Sequence, residues 1–152
     1  MLSFTSCIRV SLALVVLVLT DHVDADEVAP GLIAKYTDGA STVTTIAITP
    51  NFALSSGETI HPQIEPEFSA TWTGFLRIVR GDKYAISANT GAVVKVNGQP
   101  TSDGPIALPT GDHALEISYT RKPGDARLQL RWDAEHFYEE PIPSSAFGHS
   151  VA

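Results

Sequence analysis

The densest cluster of chemically capable side chains in this sequence is Asp133-Ala134-Glu135-His136, with Glu139-Glu140 close behind. A histidine beside several carboxylates could hold a metal ion if the donor atoms converged to within about 2.0–2.5 Å of it. The same run also describes a solvated loop after a strand. That reading is preferred, because nothing in the spacing imposes convergence. His61, His113 and His149 show no H-x-x-x-H or H-E-x-x-H pattern with any neighbour. Glu65 and Glu67 invite glycoside hydrolysis, but that chemistry needs two carboxylates at a set separation across a cleft, and two residues on a proline-rich run define none. There is no G-x-S-x-G elbow, and the only cysteine is Cys7. No catalytic residue and no metal ligand is assigned, and the chain is read as a non-enzyme. A Ser-His-Asp triad assembled in space is the enzymatic alternative.

Any such groups must be held by short strands. With 152 residues, 43% of them hydrophobic, the chain suits one domain with a core of its own. Its net charge of −7 argues against nucleic acid, which asks for a basic patch. The longest basic cluster is Arg121-Lys122, read as a loop pair. At the N-terminus Arg9 precedes an apolar stretch, Val10 to Leu19, and then Val23-Asp24-Ala25, which has small residues at the cut positions. This is the layout of a secretory signal peptide over residues 1–25, so the domain is expected to be exported, to the periplasm, the cell surface or the medium. Membrane attachment is expected only if that segment stays uncleaved. Once it is removed no cysteine is left, so an exported domain must rest on its core without disulfides.

Residues 26–30 read as a flexible leader. From Gly31 onward, strand-like runs alternate with Gly, Pro, Asn and Asp. They are Leu32 to Tyr36, Thr42 to Thr49, Phe68 to Val79, Lys83 to Asn89, Ala92 to Val96, His113 to Thr120 and Ala126 to Trp132. Residues 50–66, with three prolines, predict a long loop with one short strand at most. Alternation is clean in Leu115, Ile117 and Tyr119 and again in Leu128, Leu130 and Trp132, as a strand with one wet face requires. Asn97-Gly98 predicts a hairpin turn, because both positions accept positive φ. No helical period is sustained. Six to eight short strands predict an all-β, antiparallel β-sandwich, with a fraying tail after Pro141.

The order of several short pieces resembles the PA14 domain. These are Gly31-Leu32 with Tyr36, Trp72-Thr73-Gly74, Gly81-Asp82-Lys83-Tyr84-Ala85-Ile86, Val94-Lys95-Val96-Asn97-Gly98, Gly111 to Ile117, Leu128 to Trp132, and the close Pro141-Ile142-Pro143 with Phe147. The likeness covers residues 31–148, leaving 149–152 as a tail. It implies a β-sandwich, and Trp72 and Trp132, on strands near Gly74 and at a strand end, are expected to fill its core, the alternative for Trp132 being an exposed stacking platform. In several members of that family it implies carbohydrate recognition at exported surfaces. A narrower likeness is to a bacterial envelope variant often found ahead of c-type cytochrome segments.

In the yeast adhesin branch a calcium ion is held by two adjacent aspartates. The matching positions here are Asn89 and Thr90, an amide and a hydroxyl without charge, so that calcium site is not supported and no cofactor is expected. The candidate ligand residues are Asn89, Thr90 and Gly91 at the family's ligand end, with Asn97 and Asp103. Their short polar groups suit sugar hydroxyls, while turn chemistry is the preferred explanation of the same residues. The expected function is a non-catalytic module binding a glycan or another envelope component. The alternative is a structural or accessory domain of a cytochrome-c-type envelope protein, without a ligand of its own.

Overall fold

A computed structural model describes residues 27–89 and 91–151. The signal peptide expected over residues 1–25 lies outside the described residues, as do Thr90 and Ala152. The strands are β1 (Glu27–Pro30), β2 (Leu32–Thr37), β3 (Thr42–Ala47), β4 (Phe52–Leu54), β5 (Ser69–Ile78), β6 (Asp82–Ala88), β7 (Val93–Val96), β8 (Gln99–Pro100), β9 (Ile106–Leu108), β10 (Gly111–Thr120), β11 (Ala126–Leu128), β12 (Leu130–Ala134), β13 (Phe137–Pro141) and β14 (Phe147–Val151). Single 3-10 turns occupy Thr101–Asp103 and Ser144–Ala146.

Two antiparallel layers result. In the first, β8, β7, β10 and β5 lie side by side, and the far edge of β5 is shared. Its first half pairs with β2, from Ser69↔Thr37 to Thr73↔Ile33, and its second half pairs with β14 at Phe75↔Gly148 and Leu76↔Phe147. Strand β3 lies outside β2, and β1 lies outside β14. The second layer runs β9, β6, β12, β13, with the short pair β11–β4 continuing it where β12 begins.

Gly74 stands where β5 changes partner. A Cβ there would run into the Gly148 carbonyl oxygen and come within 2.8 Å of Leu32 Cδ2. Across from it, a Cβ on Gly148 would lie 2.6 Å from Val28 Cγ1. Two glycines thus let β14 slip in beside β2 on one strand edge, a close backbone approach that no side chain permits. The last glycine of the W-x-G piece is explained by this contact.

The core forms where alternation predicted it. Tyr84 and Ile86 of β6, Leu115 and Ile117 of β10, and Leu128, Leu130 and Trp132 of β11–β12 all point inward and are buried. Trp72 and Trp132 are core rings, 1% and 8% exposed. Burying each contributes on the order of 2–3 kcal/mol. They anchor two aromatic clusters. Trp72 packs with Tyr36 and Phe52 at ring-centroid distances of 6.0 and 6.2 Å, and Phe68 and Tyr119 extend the group. Trp132 packs with Tyr84 and Phe137 at 5.3 and 5.7 Å.

Two expectations change. The segment expected as a flexible leader, residues 26–30, is from Glu27 a strand in register with β14, from Glu27↔Val151 to Pro30↔Gly148. The tail expected to fray is likewise strand β14 up to Val151. Neither alternates in polarity, because both are short: β1 draws its order from main-chain pairing with β14, and β14 is anchored on β5 by the buried Phe147 and by Gly148. The run Ala126 to Trp132 is also broken once, at Gln129, where β11 leaves for β4 while β12 stays on β6.

Candidate functional site

One end of the sandwich is built from the turn after β2, the loop 55–68, Asn89, Gly91 and Ala92, and the loop 121–125. Arg121 organises it. The residue is 5% exposed, and its guanidinium donates to four backbone carbonyls: Ser55 at 2.8 Å, Pro66 at 2.9 Å, Gly124 at 3.1 Å and Glu58. A buried cation is costly unless its donors are met, and here carbonyl dipoles from two loops meet them. Asp38 adds a second tie. Its carboxylate accepts the backbone N–H groups of Glu65 at 2.9 Å, Ser41 at 2.7 Å and Ala40 at 2.9 Å, which hold its pKa below the usual carboxylate range. Asp125 closes the set by accepting the Ser56 N–H at 2.8 Å.

Against this frame lies a groove of about 450 Å³, lined by Gly91, Val93, Ser118, Tyr119, Thr120, Lys122, Pro123 and Asp125. Pairing of Val93 with Ser118 brings the end of β7 alongside the end of β10 and so sets Gly91 beside the loop after Thr120. A Cβ built on Gly91 would meet nothing within 4 Å. The groove offers hydroxyls, a cation, a carboxylate and part of an aromatic ring, the mixture that holds a polyhydroxylated ring.

Of the five candidate ligand residues, Gly91 lines this groove. Asn89 lies two residues before it but carries a structural bond. Its Oδ1 accepts the Gln129 N–H at 2.7 Å, and its own N–H donates to the Gln129 carbonyl at 3.3 Å. With Asn51, whose Oδ1 accepts the Leu130 N–H at 3.0 Å, it satisfies the backbone where β11 and β12 part. Thr90 lies outside the described residues. Asn97 sits at the opposite end of β7 with φ of 51°, followed by Gly98 at 78°, the hairpin turn expected there. Its Oδ1 accepts the Ala114 N–H at 3.1 Å and its Nδ2 donates to His113 Nδ1 at 3.0 Å, so turn chemistry occupies both ends of its amide. Asp103 is exposed on its 3-10 turn and does not line the groove. The groove residues that sequence reasoning missed, Ser118, Thr120, Lys122 and Asp125, carry no local signal beyond the Pro123-Gly124-Asp125 turn. Sheet pairing alone brings them to Gly91.

The polar cluster expected as a loop is instead a hairpin, with Asp133 and Ala134 ending β12 and Glu139 and Glu140 in β13, and its side chains disperse. His136 Nδ1 lies 2.5 Å from Asp82 Oδ2, Glu139 pairs with Arg131 Nε at 2.5 Å, and Glu140 accepts from Trp132 Nε1 at 3.2 Å. His61, His113 and His149 are each bonded to main chain or to Asn97, and Glu65 and Glu67 are both exposed. A second concavity of about 300 Å³ opens at the other end of the sandwich, over Tyr84, Trp132 and Phe137. Burial raises the Tyr84 pKa, with the Asp82 charge adding to the effect, and its hydroxyl donates to the Arg80 carbonyl at 2.6 Å.

A family model for the PA14 domain matches residues 29–105, half of the chain. The chain belongs to the PA14 domain family. Solved structures of PA14-like fold agree. An anti-sigma factor domain-containing protein from Clostridium clariflavum superposes with a TM-score of 0.70 at 17% identity, over 82% of this chain and 48% of that one. A PA14 sugar-binding domain from an RTX adhesin gives 0.58 at 16% identity, over 80% of this chain and 99% of that one. The epithelial adhesin 6 A domain from Candida glabrata, in complex with Galb1-3GlcNAc, gives 0.60 at 13% identity, over 83% and 89%. This PA14 chain spans about half the length of the two anti-sigma factor domain-containing proteins. No curated protein matches it in sequence. At these identities the structural likenesses speak for the shared fold.

Proposed function

We propose that this PA14 chain is a non-catalytic carbohydrate-binding module, and that the sugar sits in the groove beside Gly91. The observation that carries the reading is the groove itself. It is an open concavity at the loop end, with Ser118, Thr120, Lys122 and Asp125 around a glycine whose missing side chain leaves room for a ring. The sugar-binding and adhesin domains among its structural neighbours support the same ligand class. Export to an extracellular location belongs to the reading, supported by the apolar N-terminal segment and by those adhesin neighbours. Recognition is metal-independent, because the positions matching the adhesin aspartates are Asn89 and Thr90, and Asn89 already serves Gln129.

A glycan array probed with the protein, in calcium and in chelator, tests this reading. Binding to a discrete set of glycans that survives chelation is the expected result. Gly91→Trp should abolish that binding at unchanged melting temperature, since a Cβ at this position meets nothing within 4 Å and the ring beyond it occupies the groove. Binding lost on chelation would overturn the metal-free reading. Glycan binding untouched by Gly91→Trp would overturn the groove. No binding in either condition would point instead to a structural role.

A further inference from the structure

Sheet edges present unpaired N–H and C=O groups, and folded proteins guard them with charge, proline or shortness. Most edges of this molecule follow that rule. Strand β1 carries Glu27 and Pro30, β13 carries Glu139, Glu140 and Pro141, β8 has two residues ending in Pro100, and β9 has three. Strand β3 does not. It pairs with β2 at all six positions, from Thr42↔Thr37 to Ala47↔Leu32, and among the described residues nothing pairs with its other edge. The stretch from Gly39 to Thr49 holds no charged residue and no proline, in a chain of net charge −7. Ile46 and Ile48 stand 47% and 57% exposed along it.

We propose that the open edge of β3 pairs with β3 of a second copy of this chain, antiparallel, about a two-fold axis at Thr45. The occupant follows from the strand. An acidic molecule repels its own copies nearly everywhere, and β3 is an edge along which two copies meet without opposing charges. A continuous sheet that keeps the inner faces of both copies on one side requires same-face residues to pair. Centring on Thr45 satisfies this, with Thr45 opposite Thr45 of the second copy, Val43 opposite Ala47, and Thr44 opposite Ile46. Half-buried Val43 and Ala47 then lie on the inner face, while the exposed Ile46 gains a β-branched neighbour on the outer face. Such closure is isologous and uses up the β3 edge of both copies, leaving only the guarded edges. Five or six residues span only about 20 Å, so the dimer is weak and dissociates on dilution in the micromolar range. It also doubles the number of grooves per particle, and so raises avidity for a repeated glycan.

Light scattering over a concentration series tests the proposal. The wild-type mass should approach twice that of Thr45→Lys at high concentration. Thr45 is exposed, so the lysine leaves the fold intact and places two cations face to face across the axis. Thr45→Cys in a Cys7→Ser background should cross-link under mild oxidation, because residues facing each other across the axis fall within disulfide reach. Thr42→Cys in the same background should not, because the two copies of Thr42 lie about 20 Å apart in this register. Overturning results are a wild-type monomer up to millimolar concentration, a dimer indifferent to Thr45→Lys, or cross-linking at position 42 in place of 45.

Discussion

Arg121 shows how a single residue can decide a site without touching a ligand. Its guanidinium closes two loops onto the groove by donating to Ser55, Glu58, Pro66 and Gly124. In the sequence it is half of a loop pair, yet it is the only buried charged residue among those described. Truncation would leave several carbonyls without their donor. Each lost charge-assisted bond is worth about 1.5–3 kcal/mol, partly recovered where water enters. Arg121→Ala should therefore destabilise the fold by roughly 3 kcal/mol and weaken glycan binding, as read by denaturant unfolding and by titration of an array hit. A change below about 0.5 kcal/mol, the level of ordinary surface substitutions, would show that the loops hold without it.

Among the elements, the turn after β2 and the loop 55–68 are joined through Asp38 and the Glu65 N–H. The Asp38 pKa is depressed, first by Glu65, then by Ser41 and Ala40. A depressed carboxylate contributes stability above its unfolded value, near 4, and loses it as pH falls through the folded value. Asp38→Ala should accordingly melt below wild type at pH 7, and the gap should close as pH is lowered past 4 toward 2. A gap of constant size over that range would mean that the N–H contacts are not formed in solution. The asparagines belong to this scale too. Asn51 and Asn89 stand at the point where β11 and β12 part, and Asn97 closes the β7–β8 hairpin, so the two candidate amides, Asn89 and Asn97, serve the backbone.

On the scale of the whole molecule, Trp72 and Trp132 sit in separate aromatic clusters, one toward the groove end and one toward the opposite end. Strand β5 links these ends. It carries Trp72 and pairs along its length with β10, β2 and β14. With no disulfide and one continuous core, the clusters should melt together. Trp72→Phe and Trp132→Phe proteins each retain one reporter, and their fluorescence transitions should each coincide with the far-UV circular dichroism transition of the same protein. Separated transitions would divide the sandwich into two cooperative units. The β3 edge acts at this scale as well, since two copies joined there form one sheet.

Strand positions, inward faces, the Asn97-Gly98 turn and the two core tryptophans were legible in the chain. Period-two alternation and turn residues are local consequences of one wet face and of positive φ. The order of motifs carried the PA14 family as well. Strands β1, β13 and β14 were not legible: β13 reads as a charged loop and becomes a strand only beside β12, and β1 and β14 are ordered by pairing with each other and with β5, where Gly74 and Gly148 allow the close approach. The groove was half legible. Gly91 stood out through its place in the family's order, but Ser118, Thr120, Lys122 and Asp125 reach it only through the β7–β10 ladder. Composition says which residues can hold a sugar or satisfy a turn. Which of the two a residue does depends on what tertiary packing sets against its side chain, as it sets the Gln129 N–H against Asn89 Oδ1.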